Sequence, residues 1–456
     1  MSTTTTESPE AHASTSSRVL VIGAGVAGLS AAWLLTQAGR TVEVWDSADQ
    51  HGGLLQPVRF RGHPMDRGSH RIHPESHPLL RQITAEEDWV SRPRQGRLVL
   101  GGRTMGYPPR MVDFLQGLGL GTVVQMGLNF ATRKDALAGF RRWEEDRRQA
   151  VDDVGFARFV EGRVGRRAYT QFYAPYVEKV WGLDPNEISQ TVAKARISTA
   201  SPWVTLARSL NRKGEPDRVF LYPRGGMHRV TENLLEKLAA AQVPVHYGRR
   251  FGPAEVATES GPVVFSGHLS HLVPDADLEH RGLYLLHLAF DPGTFGEVDT
   301  FYCPEAKFWF GRVSQPAQFS EDLADGEHDI VCVEIPEGRW GAEHDFIADL
   351  DTIQEQLSIA GIIPVNAHIR DSLQTFIPRV YPMYRRGWIH RWRAALDTLT
   401  ARSEVFPIGR QGLFLHCNID QCVHIADEAV RHIGAGGDAR AWIDRCEDFL
   451  ELRVRD

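Results

Sequence analysis

The chain begins with a polar, Ser/Thr-rich stretch, residues 1–17, which holds no apolar run and reads as a disordered tail rather than a signal peptide or membrane anchor. Pattern appears at Val19 to Ile22, four apolar residues suited to a strand buried on both faces. Gly23-Ala24-Gly25-Val26-Ala27-Gly28 follows at once. From Val26 to Ala38 the apolar positions recur at helical spacing, and Gly39 supplies a stop. Thr41 to Trp45 then alternates as a second strand and ends on Asp46. Further on, Met111–Asp217 reads helical, and Leu283–Phe290 and Asp329–Ile335 read as strands. Asp438 to Arg453 is expected to form a terminal helix packed on the surface.

The order strand, glycine turn, helix, strand, acid carries a specific chemistry. Gly23 permits a tight turn, Gly25 lets a pyrophosphate approach bare main chain, and Gly28 lets the helix pack closely on the strand. The helix N-terminus offers free N–H groups and a positive dipole end to phosphates. Asp46 stands where a carboxylate can accept from the hydroxyls of an adenosine ribose, and its charge disfavours a ribose 2′-phosphate.

A chain of 456 residues with formal charge −7 has room for two packed domains, and it lacks the clustered Lys and Arg of a nucleic-acid binder. The five cysteines (303, 332, 417, 422 and 446) form no CxxC and no metal-ligand pattern; they are expected to be free thiols in a cytoplasmic protein, with no metal. Met111–Ala131 carries one charge and is about long enough to cross a bilayer, but its glycines and amides favour a buried helical pair over stable membrane insertion. The expected partner is a small-molecule substrate; the pattern does not specify an oligomer.

The segment after Asp46 reaches Gly52-Gly53, and in this it resembles the flavoprotein amine oxidase and protoporphyrinogen oxidase superfamily. Leu54 stands where that family often has Arg. Met65-Asp66-Arg67-Gly68-Ser69-His70 resembles the family stretch that runs beside the flavin. Phe172–Gly182, which includes Trp181, resembles a substrate-domain motif of the UDP-galactopyranose mutase-like branch. Tyr222–Met227 resembles the strand and turn that re-enter the cofactor domain. Gly409-Arg410 and Ile419-Asp420-Gln421 resemble the late FAD motif, in which a helix N-terminus faces the flavin pyrimidine edge.

The resemblance implies FAD as cofactor and an α/β, glutathione-reductase-like (Rossmann-type) FAD-binding domain with an inserted mixed α+β substrate domain. The FAD domain is expected from 18–110, 218–274 and 371–433, the substrate domain from 111–217 and 275–370, and a C-terminal helix from 434–456. Gly23, Gly25, Gly28, Asp46, Gly52, Gly53, Gly68, Gly409, Arg410, Ile419 and Asp420 are the expected cofactor-binding residues.

The resemblance leaves three readings. The first is a flavin oxidase or dehydrogenase taking a hydride from an amine, alcohol or C–C bond. His70 and Tyr384 are then the candidate catalytic residues, with His70 polarising a substrate oxygen or accepting a proton near neutral pH. Arg71, Trp181, Arg312, Tyr381, Phe414 and His416 are the candidate substrate contacts. The second is a mutase-like sugar isomerase without net redox. It is weakened by Phe414 and His416 at the family's paired tyrosines, and by Val180 where a glutamine usually precedes the tryptophan. The third is flavin binding without turnover. Blander readings stand beside these: His70 shaping its own loop, Arg196, Arg312 and Arg379 in structural ion pairs, Tyr173 and Tyr176 in the core, and Lys307 facing solvent.

Overall fold

The structure, a computed structural model, describes residues 18–84, 88–107, 121, 124, 155–166, 169–192, 219–259, 261–400 and 404–452. The expected tail, Arg196 and all of Met111–Ala131 except Gly121 and Val124 lie outside these.

Val19–Ile22 is buried at every position, which four consecutive aliphatic residues require of a central strand. It sits in the middle of a five-stranded parallel sheet ordered Val405–Pro407, Val263–Phe265, Val19–Ile22, Val42–Trp45, Val245–His246. The helix Val26–Gln37 buries Ala27, Leu29, Ala31, Ala32 and Leu35. Its small residues let it lie between the helices Ile419–Gly434 and Arg229–Ala240. The helix Ile419–Gly434 shows the amphipathic spacing expected of such a partner, burying Val423, Ala426, Val430 and Ile433.

A seven-stranded sheet forms the second layer, ordered Asp371–Pro382, His280–Phe290, Asp329–Pro336, Arg312–Ser314, Thr300–Tyr302, Arg97–Leu100, Arg103–Gly106. Its pairs are antiparallel except that Thr300–Tyr302 runs parallel to Arg97–Leu100. Its own core includes Leu286, Leu288, Phe308, Phe310, Val333 and Phe346, with Ile353 and Leu357 of the helix Leu350–Ile359.

This topology corrects two of the expected segment boundaries. Asp371–Pro382 was expected in the cofactor domain, yet it pairs along most of its length with His280–Phe290. Arg97–Gly106, expected there too, also joins the seven-stranded sheet. Strand partners are chosen by long-range pairing, which the local pattern does not encode. The terminal helix also differs. Ala439–Cys446 is helical and Glu447–Glu451 continues as a tighter 3₁₀ turn. The element is anchored rather than perched, because Trp442 is fully buried and donates to the Pro407 carbonyl at 3.0 Å. Among the described residues no helix is long and apolar enough to cross a membrane.

Candidate cofactor and substrate cavity

The glycine turn divides its work among three positions. Gly23 has φ +105°, and a Cβ there would sit 2.2 Å from Ser266 Oγ. A Cβ on Gly28 would lie 1.9 Å from the Gly23 carbonyl oxygen, so this glycine sets the contact between helix and turn. Gly25 differs: an added Cβ would meet only Gly53 Cα at 3.8 Å and Gly52 O at 4.0 Å, and otherwise points into open space. Gly52 donates to the Ala24 carbonyl at 2.9 Å, which seats Gly52-Gly53 beside the turn. Asp46 Oδ2 accepts the Ala24 N–H at 2.6 Å and Oδ1 accepts the Ala48 N–H at 2.8 Å. Each oxygen keeps a second lone pair for a ligand hydroxyl.

These residues open onto a cavity of about 1870 Å³ that runs from Gly23, Gly25 and Asp46 to Trp181, Tyr381 and His416. The N-terminus of the helix Ile419–Gly434 meets it through Asn418 and Ile419. Gln421 Oε1 accepts the Asn418 N–H at 2.8 Å and holds that cap. The charged lining is mainly basic: Arg67, Arg249, Arg250, Arg312, Arg379 and Arg410 outnumber Asp46, Glu255 and Glu334.

His70 lies on the wall, and its Nδ1 has no hydrogen-bond partner among the described residues. Burial, then the charges of Arg312 and Arg410, push its pKa down to about 4. It is therefore a neutral imidazole at neutral pH and a weaker base than an exposed histidine. Buried Glu334 holds the neighbourhood together. It grips Arg312 through Nε at 2.8 Å and Nη2 at 2.7 Å, and its Oε1 accepts the Ser69 N–H at 2.9 Å. This pairing raises the Arg312 pKa and keeps the guanidinium charged.

At the far wall, Tyr381 stacks on His416 with centroids 5.8 Å apart, and Trp181 meets Tyr381 edge-on at 5.9 Å. Arg410 lies over the Tyr381 ring at 5.3 Å and contacts His416 Nδ1 at 3.2 Å.

Three expected site residues need correction. Tyr384 and Phe414 stand behind the cavity wall. Phe414 is fully buried, edge-on to His280, and Tyr384 stacks on Trp388. Tyr384 Oη accepts the His416 N–H at 2.7 Å and donates to the Phe414 carbonyl at 3.3 Å, so it shapes the segment that presents His416. Arg71 touches the cavity, but its guanidinium is committed to Asp299 at 2.5 Å, Tyr302 Oη at 3.0 Å and Thr300 Oγ1. It braces the loop against the sheet and lies over Phe220 and Phe319.

Of the expected cofactor contacts, Gly28, Gly68, Gly409 and Asp420 do not reach the wall. A Cβ on Gly409 would sit 2.6 Å from Ala27 Cβ, so this position seats the late turn on the first helix. Lys307 is half-exposed near Glu305, apart from the cavity.

Sequence reasoning missed Glu334, although its charge interrupts the otherwise apolar run Ile330–Ile335. It also missed the role of Asp66. This buried carboxyl accepts from Tyr222 Oη and from the Met227 N–H at 3.0 Å, and burial raises its pKa to about 6. The clustering of Arg249, Arg250, His268 and His271 on the wall had no local signal, because distant segments supply them. Asp325, Glu327 and His328 also cluster, away from the cavity, where the Arg61 guanidinium already pairs with both carboxylates.

Residues 21–86 match the NAD(P)-binding Rossmann-like domain family. A protein of Mycobacterium tuberculosis named as a flavin-containing monoamine oxidase is 27% identical over 280 residues, which is 60% of this chain. The match spans 59% of that relative's length. The structure is similar to reduced UDP-galactopyranose mutase, with TM-score 0.75, 17% identity, and coverage of 96% of this chain and 98% of the other. It is also similar to a protein of Exiguobacterium named as a protoporphyrinogen oxidase, with TM-score 0.69, 16% identity, and coverage of 92% and 99%. These structural likenesses describe the fold.

Proposed function

We propose that this chain is a member of the flavoprotein amine oxidase superfamily and an FAD-dependent oxidoreductase that takes a hydride from a small-molecule substrate. One observation carries the reading. A single cavity joins the turn where Gly25 leaves room for a diphosphate to the wall formed by His70, Trp181, Tyr381 and His416. The fold is then a glutathione-reductase-like FAD domain with a substrate domain built on the seven-stranded sheet.

The residues fit the cofactor. Gly25, Gly52 and Gly53 leave backbone uncovered for the pyrophosphate, Asp46 has lone pairs for the ribose, and the Ile419 N–H lies at a helix mouth facing the cavity. When bound, FAD would accept the hydride. His70 is neutral, and its imidazole, on the cavity wall, orients a substrate oxygen or nitrogen by hydrogen bonding. Arg410 holds positive potential at the same end. That potential favours substrates bearing a carboxylate or phosphate over cationic amines. Tyr381 and His416 supply a flat face for a ring or a C–H-bearing carbon. The five free thiols suit a cytoplasmic setting.

Purified protein is expected to be yellow and to release FAD on denaturation. Anaerobic mixing with alcohols, amines and hydroxy acids should bleach the flavin, most readily with an anionic substrate. A colourless protein that takes up no added FAD would overturn the reading. A mutase-like isomerase is the second reading, favoured by the basic wall. It predicts turnover only after prior reduction, with the flavin spectrum returning unchanged.

A further inference from the structure

Cys417 and Cys422 face each other with their sulfurs 3.5 Å apart. The other three cysteines, Cys303, Cys332 and Cys446, are buried, and no sulfur lies opposite any of them. Asn418 is the N-cap of the helix Ile419–Gly434, so Cys417 precedes the cap and Cys422 is the fourth helical residue. An apolar pair usually occupies these two positions and fixes how the chain enters a helix. Two thiols fill the same space with a further property: they can be joined by oxidation.

Access and activation both favour that chemistry. Both residues line the cavity, so a molecule as small as a peroxide can reach them from inside. The Cys422 thiol is pulled below its ordinary pKa, first by a hydrogen bond from Cys417 and then by the Arg410 backbone N–H and the Arg410 charge. Cys417, which donates that hydrogen bond, is raised. Burial, followed by nearby carboxylates, raises Cys303, Cys332 and Cys446. One sulfur is thus prepared as a nucleophile and its neighbour as the second partner.

We propose that Cys417 and Cys422 are a reversible dithiol–disulfide site at the helix mouth, oxidised by hydrogen peroxide. The Cys422 thiolate attacks one peroxide oxygen, the O–O bond breaks, and Cys422 sulfenic acid and hydroxide form. The Cys417 sulfur then attacks the Cys422 sulfur. An S–S bond forms, the S–O bond breaks, and the Cys417 proton leaves with the hydroxyl as water. Two thiols lose two electrons in all, and peroxide gains them. Closing the sulfur distance to about 2.05 Å pulls the 416–418 segment toward the helix. Arg410 and Tyr381 both contact His416, so the polar wall of the cavity moves with the redox state. The idea that turnover supplies the peroxide rests on the oxidase reading; the site itself does not.

The test uses full-length protein with added hydrogen peroxide and no substrate, so its outcome is separate from any failure of the oxidase reading. After quenching in denaturant with N-ethylmaleimide, trypsin releases one peptide, Gln411 to Arg431, that contains both cysteines. The expected peptide is two hydrogens lighter and takes up no maleimide, and dithiothreitol restores both alkylation sites. Cys303, Cys332 and Cys446 should take up maleimide throughout. Uniform alkylation of all five after peroxide overturns the proposal, and so does sulfinic or sulfonic acid on Cys422 with Cys417 still free. In Cys417→Ser the sulfenic acid has no partner and should be trapped by dimedone on Cys422; absence of that adduct overturns the assigned order of attack. The wild-type measurement stands by itself if the variant fails to fold.

Discussion

Glu334 holds Arg312 with two parallel hydrogen bonds while the same carboxylate accepts the Ser69 N–H, so one buried side chain fixes both a cation and the loop that carries His70. The orientation of the Arg312 guanidinium is therefore tied to the position of the imidazole beside it.

Glu334→Gln keeps the shape but leaves the Arg312 charge uncompensated. Since Arg312 is partly open to the cavity, the expected loss is about 2 kcal/mol of unfolding free energy, less than for breaking a fully buried pair. Urea denaturation measures it. An unchanged midpoint and slope would mean that the pair does not hold the loop.

Gly25 and Gly28 separate cofactor loading from folding. Gly25 has ordinary extended backbone and space beyond it, so Gly25→Val should fold with near-native circular dichroism yet carry no FAD. Gly28→Val drives a side chain into the Gly23 carbonyl and should fail to fold. Full flavin content in purified Gly25→Val would refute the placement of the diphosphate.

The low pKa of His70 shapes the expected pH profile. The imidazole is already neutral above about pH 4, so the rate of anaerobic flavin reduction should show no step near 6.5 arising from His70. His70→Ala should slow that reduction about 10- to 100-fold through lost orientation. A step near pH 6.5 in wild type that disappears in His70→Ala would show that the residue titrates as an ordinary base.

His287 should contribute to acid sensitivity. It is fully buried, neither ring nitrogen has a side-chain partner, and burial lowers its pKa from 6.5 to about 4. As pH falls below 6.5 the unfolded chain binds a proton that the folded His287 refuses until about pH 4. Stability is therefore complete above 6.5 and declines across that window. Asp66, with its pKa raised to about 6, acts in the opposite sense between 3.8 and 6. His287→Gln should flatten the fall in Tm between pH 6.5 and 4, and an unchanged slope would count against this assignment.

The glycine turn was legible in the sequence because its geometry is local: strand, Gly23, Gly25, Gly28 and helix succeed one another within a few residues. The placement of Asp371–Pro382 was not, because its register against His280–Phe290 is set across a separation of about ninety residues, beyond the reach of local pattern. Arg71 and Arg312 look alike as isolated cations. Only the partners brought in by folding distinguish them: Asp299 and Tyr302 engage Arg71 as a brace, while Glu334 leaves Arg312 facing the cavity. Tyr384 was misjudged for a related reason. Its neighbour Tyr381 lines the wall, but the chain leaves the strand at Pro382 and the alternation that would place the later phenol ends there.

Both sheets recruit strands from widely separated parts of the chain. The parallel sheet closes only with Val405–Pro407, and the antiparallel sheet waits for Asp371–Pro382. A nascent polypeptide emerging from the ribosome thus holds the phosphate-cradling turn early but lacks the opposite rim until most of translation is over. Cofactor capture becomes a late event in biogenesis, and a stop just before Val405 turns the buried strand Val263–Phe265 into a sheet edge for quality control to recognise.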